Sequence, residues 1–183
     1  ELCYKLTVPE LEELIPLLLE KKKMRVLSIH NFCPVPNDGP SLRHPSNYYL
    51  LSSPQEEERR KAVAWTQKTI DTAVRVGAGV VVIHAGTIDL DQDSVNMIKA
   101  YKTGQADSRE FGRLRQEIVT QRKKNKAPFW EAVVKSLNEV VSYGRQKKVK
   151  IGLETRYYPT EIPDFEEIGE ILKLFGPQDM GYW

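Results

Sequence analysis

The sequence predicts an α/β fold in which parallel strands alternate with helices. Two patterns in its 183 residues carry that expectation. First, three short β-branched runs each end in one metal-capable side chain: Met24 to Ile29 ends in His30, Val80 to Ile83 in His84, and Val149 to Leu153 in Glu154. Short, nearly continuous apolar runs are what strands buried on both faces require. Second, the runs are separated by helical patterns long enough to serve as crossovers, and alternation of that kind makes a parallel sheet.

Taken in order, Thr7-Val8-Pro9-Glu10 is a helix start. Thr7 caps, Pro9 is tolerated in the first turn, and Glu10 completes a capping box. Leu11, Ile15 and Leu18 share a face, so an amphipathic helix is expected over 8–21. Lys21-Lys22-Lys23 is then a solvated end that suits the helix dipole. The first strand covers about 24–30. Residues 31–53 hold four prolines and no period, a long loop of the kind that often carries function.

Ser53-Pro54-Gln55-Glu56 starts the next helix, whose face is Val63, Ile70, Ala73 and Val74 and whose stop is Gly77. The second strand covers about 79–84. An insertion is expected over about 87–126: a helix from Asp91 to Tyr101, a break at Thr103-Gly104-Gln105, and a polar, basic helix from Ser108 to about Lys124. Ala127-Pro128 opens a further helix that packs on the core through Trp130, Val133, Val134, Leu137 and Val141. The third strand is about 149–154. Asp164 caps a last helix with the face Phe165, Ile168, Leu172 and Phe175, ended by Gly176-Pro177, and Met180 to Trp183 reads as a strand beginning.

No Gly-rich phosphate loop follows any strand, which argues against a nucleotide-binding doubly wound sheet. A (β/α)₈ TIM barrel takes about 250 residues. The elements here make a partial barrel in a single domain over 1–183, and the rest of the barrel is expected after Trp183. With no initiator Met, the start is expected upstream.

Composition narrows the function. Apolar residues make up 40% and charged residues 28%, ordinary for a globular protein. A balance of 27 basic against 25 acidic side chains argues against a nucleic-acid-coating or membrane-surface protein. The basic run Arg113, Arg115, Arg122, Lys123, Lys124 and Lys126 is interleaved with Glu110 and Glu117, so it reads as a solvated helix face. Cys3 and Cys33 are too few and too far apart for a disulfide framework, and reduced thiols are expected. No apolar run approaches the ~20 residues of a bilayer span, and no signal-peptide pattern opens the chain, so a cytoplasmic location is expected.

Ligands of α/β folds bind at the carboxyl ends of the strands, so His30, His84 and Glu154 are expected to line one rim. For each histidine the alternative is a hydrogen-bonded strand-end residue. A carboxylate ending a buried strand is costly unless paired or metal-bound, which singles out Glu154. Imidazole with carboxylate suits Zn²⁺ or Mn²⁺, and carboxylate with water suits Mg²⁺ or Mn²⁺. Arg156, Tyr157 and His44 are candidate substrate-binding residues. The competing reading is local packing for the first two and a surface histidine for the third.

At Ser28-Ile29-His30-Asn31, Val82-Ile83-His84-Ala85-Gly86 and Gly152-Leu153-Glu154 the chain resembles the xylose isomerase-like TIM-barrel superfamily, over roughly residues 8–183. That superfamily holds sugar isomerases and epimerases and the family 2 AP endonucleases of endonuclease IV type. The resemblance implies that His30, His84 and Glu154 are metal ligands, and that Glu154 also transfers a proton in the epimerase branch. It implies further ligands, an Asp and a His in a D-x-G-H-like pattern, after Trp183. The expected function is a metal-dependent (Zn, Mn or Mg) isomerase or epimerase acting on a small carbohydrate by proton transfer next to a carbonyl. The alternatives are a zinc-dependent AP endonuclease and a non-catalytic barrel relative. The endonuclease branch follows its third ligand with an Asn-Thr-Ala-Gly-like turn. Thr155-Arg156-Tyr157-Tyr158 departs from it.

Overall fold

The computed structural model describes residues 1–20, 24–41, 43–90, 93–156 and 158–183. The lysine run 21–23 expected at the first helix end lies outside them. The elements are α1 (Val8–Glu20), β1 (Ser28–His30), a 3₁₀ turn (Pro45–Asn47), α2 (Glu56–Val76), β2 (Val80–Ile83), α3 (Asp93–Lys102), α4 (Arg109–Lys147), β3 (Lys150–Leu153), α5 (Phe165–Leu174) and β4 (Met180–Tyr182). The strands form one parallel sheet in the order β1-β2-β3-β4. Leu2 bridges to Ile29 along the outer side of β1. No described helix is long and apolar enough to cross a membrane.

Side chains alternate across a strand, and here the two faces have different tasks. Ile29, Val81, Ile83, Ile151, Leu153 and Met180 point to the helices and form the sheet side of the core. Val63, Ile70 and Ala73 of α2 and Val133, Leu137, Val140 and Val141 of α4 complete it. The opposite face carries Ser28 and His30, Val80 and Val82, and Gly152, so the strand-end residues lie on the side away from the helices.

Several expected boundaries hold in substance. The Glu10 carboxylate accepts from the Thr7 backbone N–H at 2.8 Å, but the Thr7 hydroxyl donates to it at 2.7 Å, giving half of a capping box. Gly77 ends α2. Asp164 and Glu167 form a complete capping box at α5. Three expectations are corrected. The first strand is three residues long, because only Ser28–His30 find partners on β2, and Leu27 is left exposed. Val74 and Phe165 are exposed, on the solvent sides of their helices, and the α2 face turns through Val76 instead. The helix from Ser108 does not stop before Pro128: α4 is continuous over 39 residues with Pro128 inside it. Proline removes one backbone donor from a helix interior. Here the turns on either side are held by packing, α3 on the first half of α4 and α2 and β3 on the second.

Arg59 ties α2 to α4. Its buried guanidinium donates to Glu56 on its own helix and to Ser136 and Glu139 on α4, and Ser136 in turn donates to the Leu51 carbonyl at 2.8 Å. Gly144 brings the end of α4 against the start of β3. A Cβ at that position would sit 2.7 Å from the Val149 carbonyl oxygen.

A glycine in a helix ordinarily costs stability relative to alanine by about 0.5–1 kcal/mol. Gly112, with open space around it on the same helix, should follow that rule, so Gly112→Ala raises the urea midpoint. Gly144→Ala should instead destabilise, by about 1–3 kcal/mol, because the overpacked backbone must move. Urea denaturation of the two variants side by side checks the sign.

Candidate metal centre

The sheet register places the three strand-end residues. His30 lies level with Val82, and Val82 with Gly152. His84 and Glu154 each follow two residues later, and two residues along a strand returns to the same face. The Glu154 N–H donates to the Ile83 carbonyl at 3.0 Å, which carries the β2–β3 ladder one step past the strand ends. All three side chains therefore converge. One ligand atom from each lies within 4.8 Å of the others.

Their hydrogen bonds set which atoms face the centre. His30 Nδ1 lies 3.0 Å from the Asn31 carbonyl oxygen, and His84 Nδ1 lies 3.3 Å from the Glu154 carbonyl oxygen. A carbonyl only accepts, so each Nδ1 carries a proton and each Nε2 is the nitrogen that faces the centre. The two Nε2 atoms approach the same carboxylate oxygen, Glu154 Oε2, at 3.4 and 3.8 Å. Two imidazole nitrogens and a carboxylate oxygen aimed at one point make a donor set that fits a divalent cation. Backbone carbonyls fix the outer nitrogens in the way metal-ligating histidines need.

The surroundings keep His84 neutral. Burial, the positive charge of Arg156 and the neighbouring His30 ring push His84 down to about 3. The His30 and His84 rings pack 4.9 Å apart between centroids. Asn31 anchors the chain just after His30: its amide donates to Thr66 at 3.0 Å and accepts from the Thr69 hydroxyl at 2.9 Å, both on α2. Gly86, at φ 138°, turns the chain just after His84 in a space that Ser52 closes, since a Cβ there would meet Ser52 Oγ at 2.2 Å.

The other expected site residues lie around this centre. His44 is exposed on the long loop, with Nδ1 2.9 Å from Ser46 Oγ. It reaches the centre through Tyr4, whose ring packs edge-on against both His30 and His44. Arg156 donates to Glu161 at 2.6 Å and to Asn47 at 3.1 Å, so two of the surrounding loops hold it, and its Nε is buried without a partner among the described residues. Tyr157 lies outside the described residues. Cys33 is fully buried and its thiol is pushed up to about 12 by that burial, consistent with a packing role. Tyr4 and Glu161 escaped the sequence reading. Tyr4 lies ahead of the first recognisable element, and Glu161 sits in a loop with no period. Burial raises the Glu161 pKa, while Arg156 opposes the shift.

The sequence model of the xylose isomerase-like TIM barrel family matches residues 7–182. The chain belongs to that family. No curated protein matches it. Among solved structures, a D-tagatose 3-epimerase-like protein aligns with a TM-score of 0.62 at 16% identity, covering 99% of this chain and 53% of that one. The 3-keto-D-glucoside 4-epimerase of E. coli aligns with a TM-score of 0.56 at 11% identity, covering 96% and 53%. A Thermus thermophilus protein from a crystal soaked with zinc chloride gives 0.53 at 19% identity, covering 97% and 53%. At these identities the likeness is one of fold. The chain spans about half the length of the structures it matches, so the parallel sheet described above corresponds to part of a TIM barrel of this family.

Two outcomes follow from the site geometry. Glu154→Gln and His84→Ala should each weaken Zn²⁺ or Co²⁺ binding by at least about tenfold, the lower end of what disturbing even an outer-shell partner costs. Equilibrium dialysis reads this directly. The metal-free protein should also lose stability as pH falls from about 6.5 towards 3. The unfolded chain protonates His84 at its ordinary value of 6.5, and the folded chain resists until about 3, so the unfolded state binds more protons in that window. The slope attributable to this residue is at most about 1.4 kcal/mol per pH unit. Calorimetry in chelator should show a shallower acid slope for His84→Gln.

Proposed function

We propose that the chain carries part of the active centre of a metal-dependent sugar or sugar-phosphate isomerase or epimerase. One observation carries this reading: a single carboxylate oxygen faces the Nε2 atoms of two imidazoles at the carboxyl end of a parallel sheet. The sugar-epimerase neighbours of the same fold support it. His30, His84 and Glu154 would hold the ion, with Zn²⁺ or Mn²⁺ suiting the mixed nitrogen and oxygen donors. When bound, such an ion polarises a carbonyl oxygen and so acidifies the adjacent C–H.

The chain's own residues do the rest. Glu154 Oε2 is turned to the imidazoles, which leaves Oε1 as the base. It takes the proton from the hydroxyl-bearing carbon next to the carbonyl; the C–H pair forms the C=C bond and the carbonyl π pair moves onto oxygen, giving an enediolate. Moving the hydroxyl proton to the former carbonyl oxygen and returning the carbon-bound proton to the former carbonyl carbon completes an isomerisation. Returning it to the original carbon from the opposite face, by a second acid, completes an epimerisation. Arg156, Tyr157 and His44 are the residues we assign to hydroxyl or phosphate contacts. The Thr155-Arg156 continuation after Glu154, rather than Asn-Thr-Ala-Gly, favours this chemistry over phosphodiester cleavage.

Solvent exchange tests the reading. Protein loaded with Mn²⁺, Co²⁺ or Zn²⁺ and incubated in D₂O with D-fructose, D-tagatose and their phosphates should exchange a carbon-bound hydrogen on at least one of them, read by proton NMR. Glu154→Gln should slow that exchange by roughly 10²-fold or more, the scale of a lost general base. Absence of exchange across the metals and sugars overturns the assignment.

A further inference from the structure

Beside the triad lies a cavity of about 480 Å³, within the size range of small-molecule sites. One wall is Met97 of α3 with Phe111, Ile118 and Val119 of α4, and the other is Pro159 with Phe165 at the start of α5. Phe165 is 79% exposed and Val119 54% exposed. Both face water although each sits on an otherwise well-packed helix. Tyr158 adds a third aromatic ring to the lining.

The polar groups of this cavity are mostly committed elsewhere. Arg122 donates to the carbonyls of Pro159 and Glu161 and to the Glu167 carboxylate, at 3.2, 2.6 and 2.5 Å. Its Nε lies 3.3 Å from Asp164, which also caps α5. Arg156 and Glu161 are paired with each other. The Thr155 hydroxyl donates to the Arg156 carbonyl. Arg115 alone has no hydrogen-bond or ion-pair partner among the described residues. A sugar ring would bring several hydroxyls into a wall with few free partners, at a cost for each one left unpaired. A flat apolar group brings none, and a free guanidinium stacks well on an aromatic face.

The cavity and the triad share a border. Thr155 and Arg156 line the cavity and directly follow Glu154 in the chain. We propose that the cavity binds the aromatic aglycone of a glycoside whose sugar ring lies at His30, His84 and Glu154. This rests on the isomerase or epimerase reading for the sugar end and adds the substrate class. In a glycoside the anomeric carbon is an acetal and carries no free carbonyl, so the reacting carbonyl of such a substrate is a ketone on another ring carbon.

The test compares 4-nitrophenyl β-D-glucoside with methyl β-D-glucoside for binding to the Zn²⁺-loaded protein, by calorimetry or saturation-transfer NMR. The aryl glycoside should bind at least tenfold more tightly. Val119→Glu and Phe165→Ala should each bring the two ligands to within twofold of each other while leaving zinc affinity unchanged. Both side chains are exposed, so thermal melts should show the variants folded. Equal affinity of the two glycosides, or an aryl preference that survives both substitutions, overturns the proposal. An aryl preference that both substitutions remove, in a protein showing no carbon-bound hydrogen exchange, upholds the cavity and sinks the isomerase reading. Exchange without an aryl preference does the reverse.

Discussion

The parallel register of β1, β2 and β3 is the constraint on which the rest depends. Val82 is level with His30 on one side and Gly152 on the other. From that single row, His84 and Glu154 each lie two residues ahead, so the pleat returns all three side chains to one face. A slip of one residue in either pairing would send one of the three into the helix-side core, where Ile29, Ile83 and Leu153 are fully buried. Burial of that core therefore fixes the geometry of the triad indirectly. The apolar cost of a wrong register far exceeds anything the three polar groups could gain by it.

The helices add a second level of control by holding the loops that leave the strand ends. Asn31 is clasped by two threonines of α2 one residue after His30. The β3–α5 loop is held from α4 by Arg122, which gathers two loop carbonyls and the first turn of α5. Arg156 joins that loop to the long loop after β1 through Glu161 and Asn47. A charged network of this kind contributes less to stability than its number of contacts suggests, since burying ions is costly. Its clearer consequence is positional: two separate loops are tied around one centre.

Much of this was legible in the residues alone. The strands show because runs such as Val80 to Ile83 are apolar without alternation, which only a doubly covered strand tolerates. The convergence of His30, His84 and Glu154 shows because each is the last residue of such a run, and a parallel sheet gathers like ends. What stayed hidden depends on tertiary context. Pro128 reads locally as a helix start, and only the packing of both halves of α4 makes it an interior residue. Phe165 has the spacing of a core position, yet α5 buries Ile168 and Ile171 and leaves Phe165, in its first turn, facing outward. Tyr4 belongs to a segment too short to have a period, and its role exists only because Leu2 pairs alongside β1.

The continuity of α4 has a consequence for how such a protein can change. The rod that buries Leu137 in the core also carries Phe111, Ile118 and Val119 to the cavity wall. An α-helix turns by about 100° per residue. Deleting one residue between Val119 and Phe129 would therefore swing the distal segment a quarter-turn or more and present a different stripe of side chains to the cavity. His30, His84 and Glu154, anchored in the sheet, would stay where they are. A deletion at position 120 or 121 keeps Arg122 in phase with the core half of α4, so a single indel there changes the cavity wall while the strand-end triad and the loop that Arg122 holds are left in place.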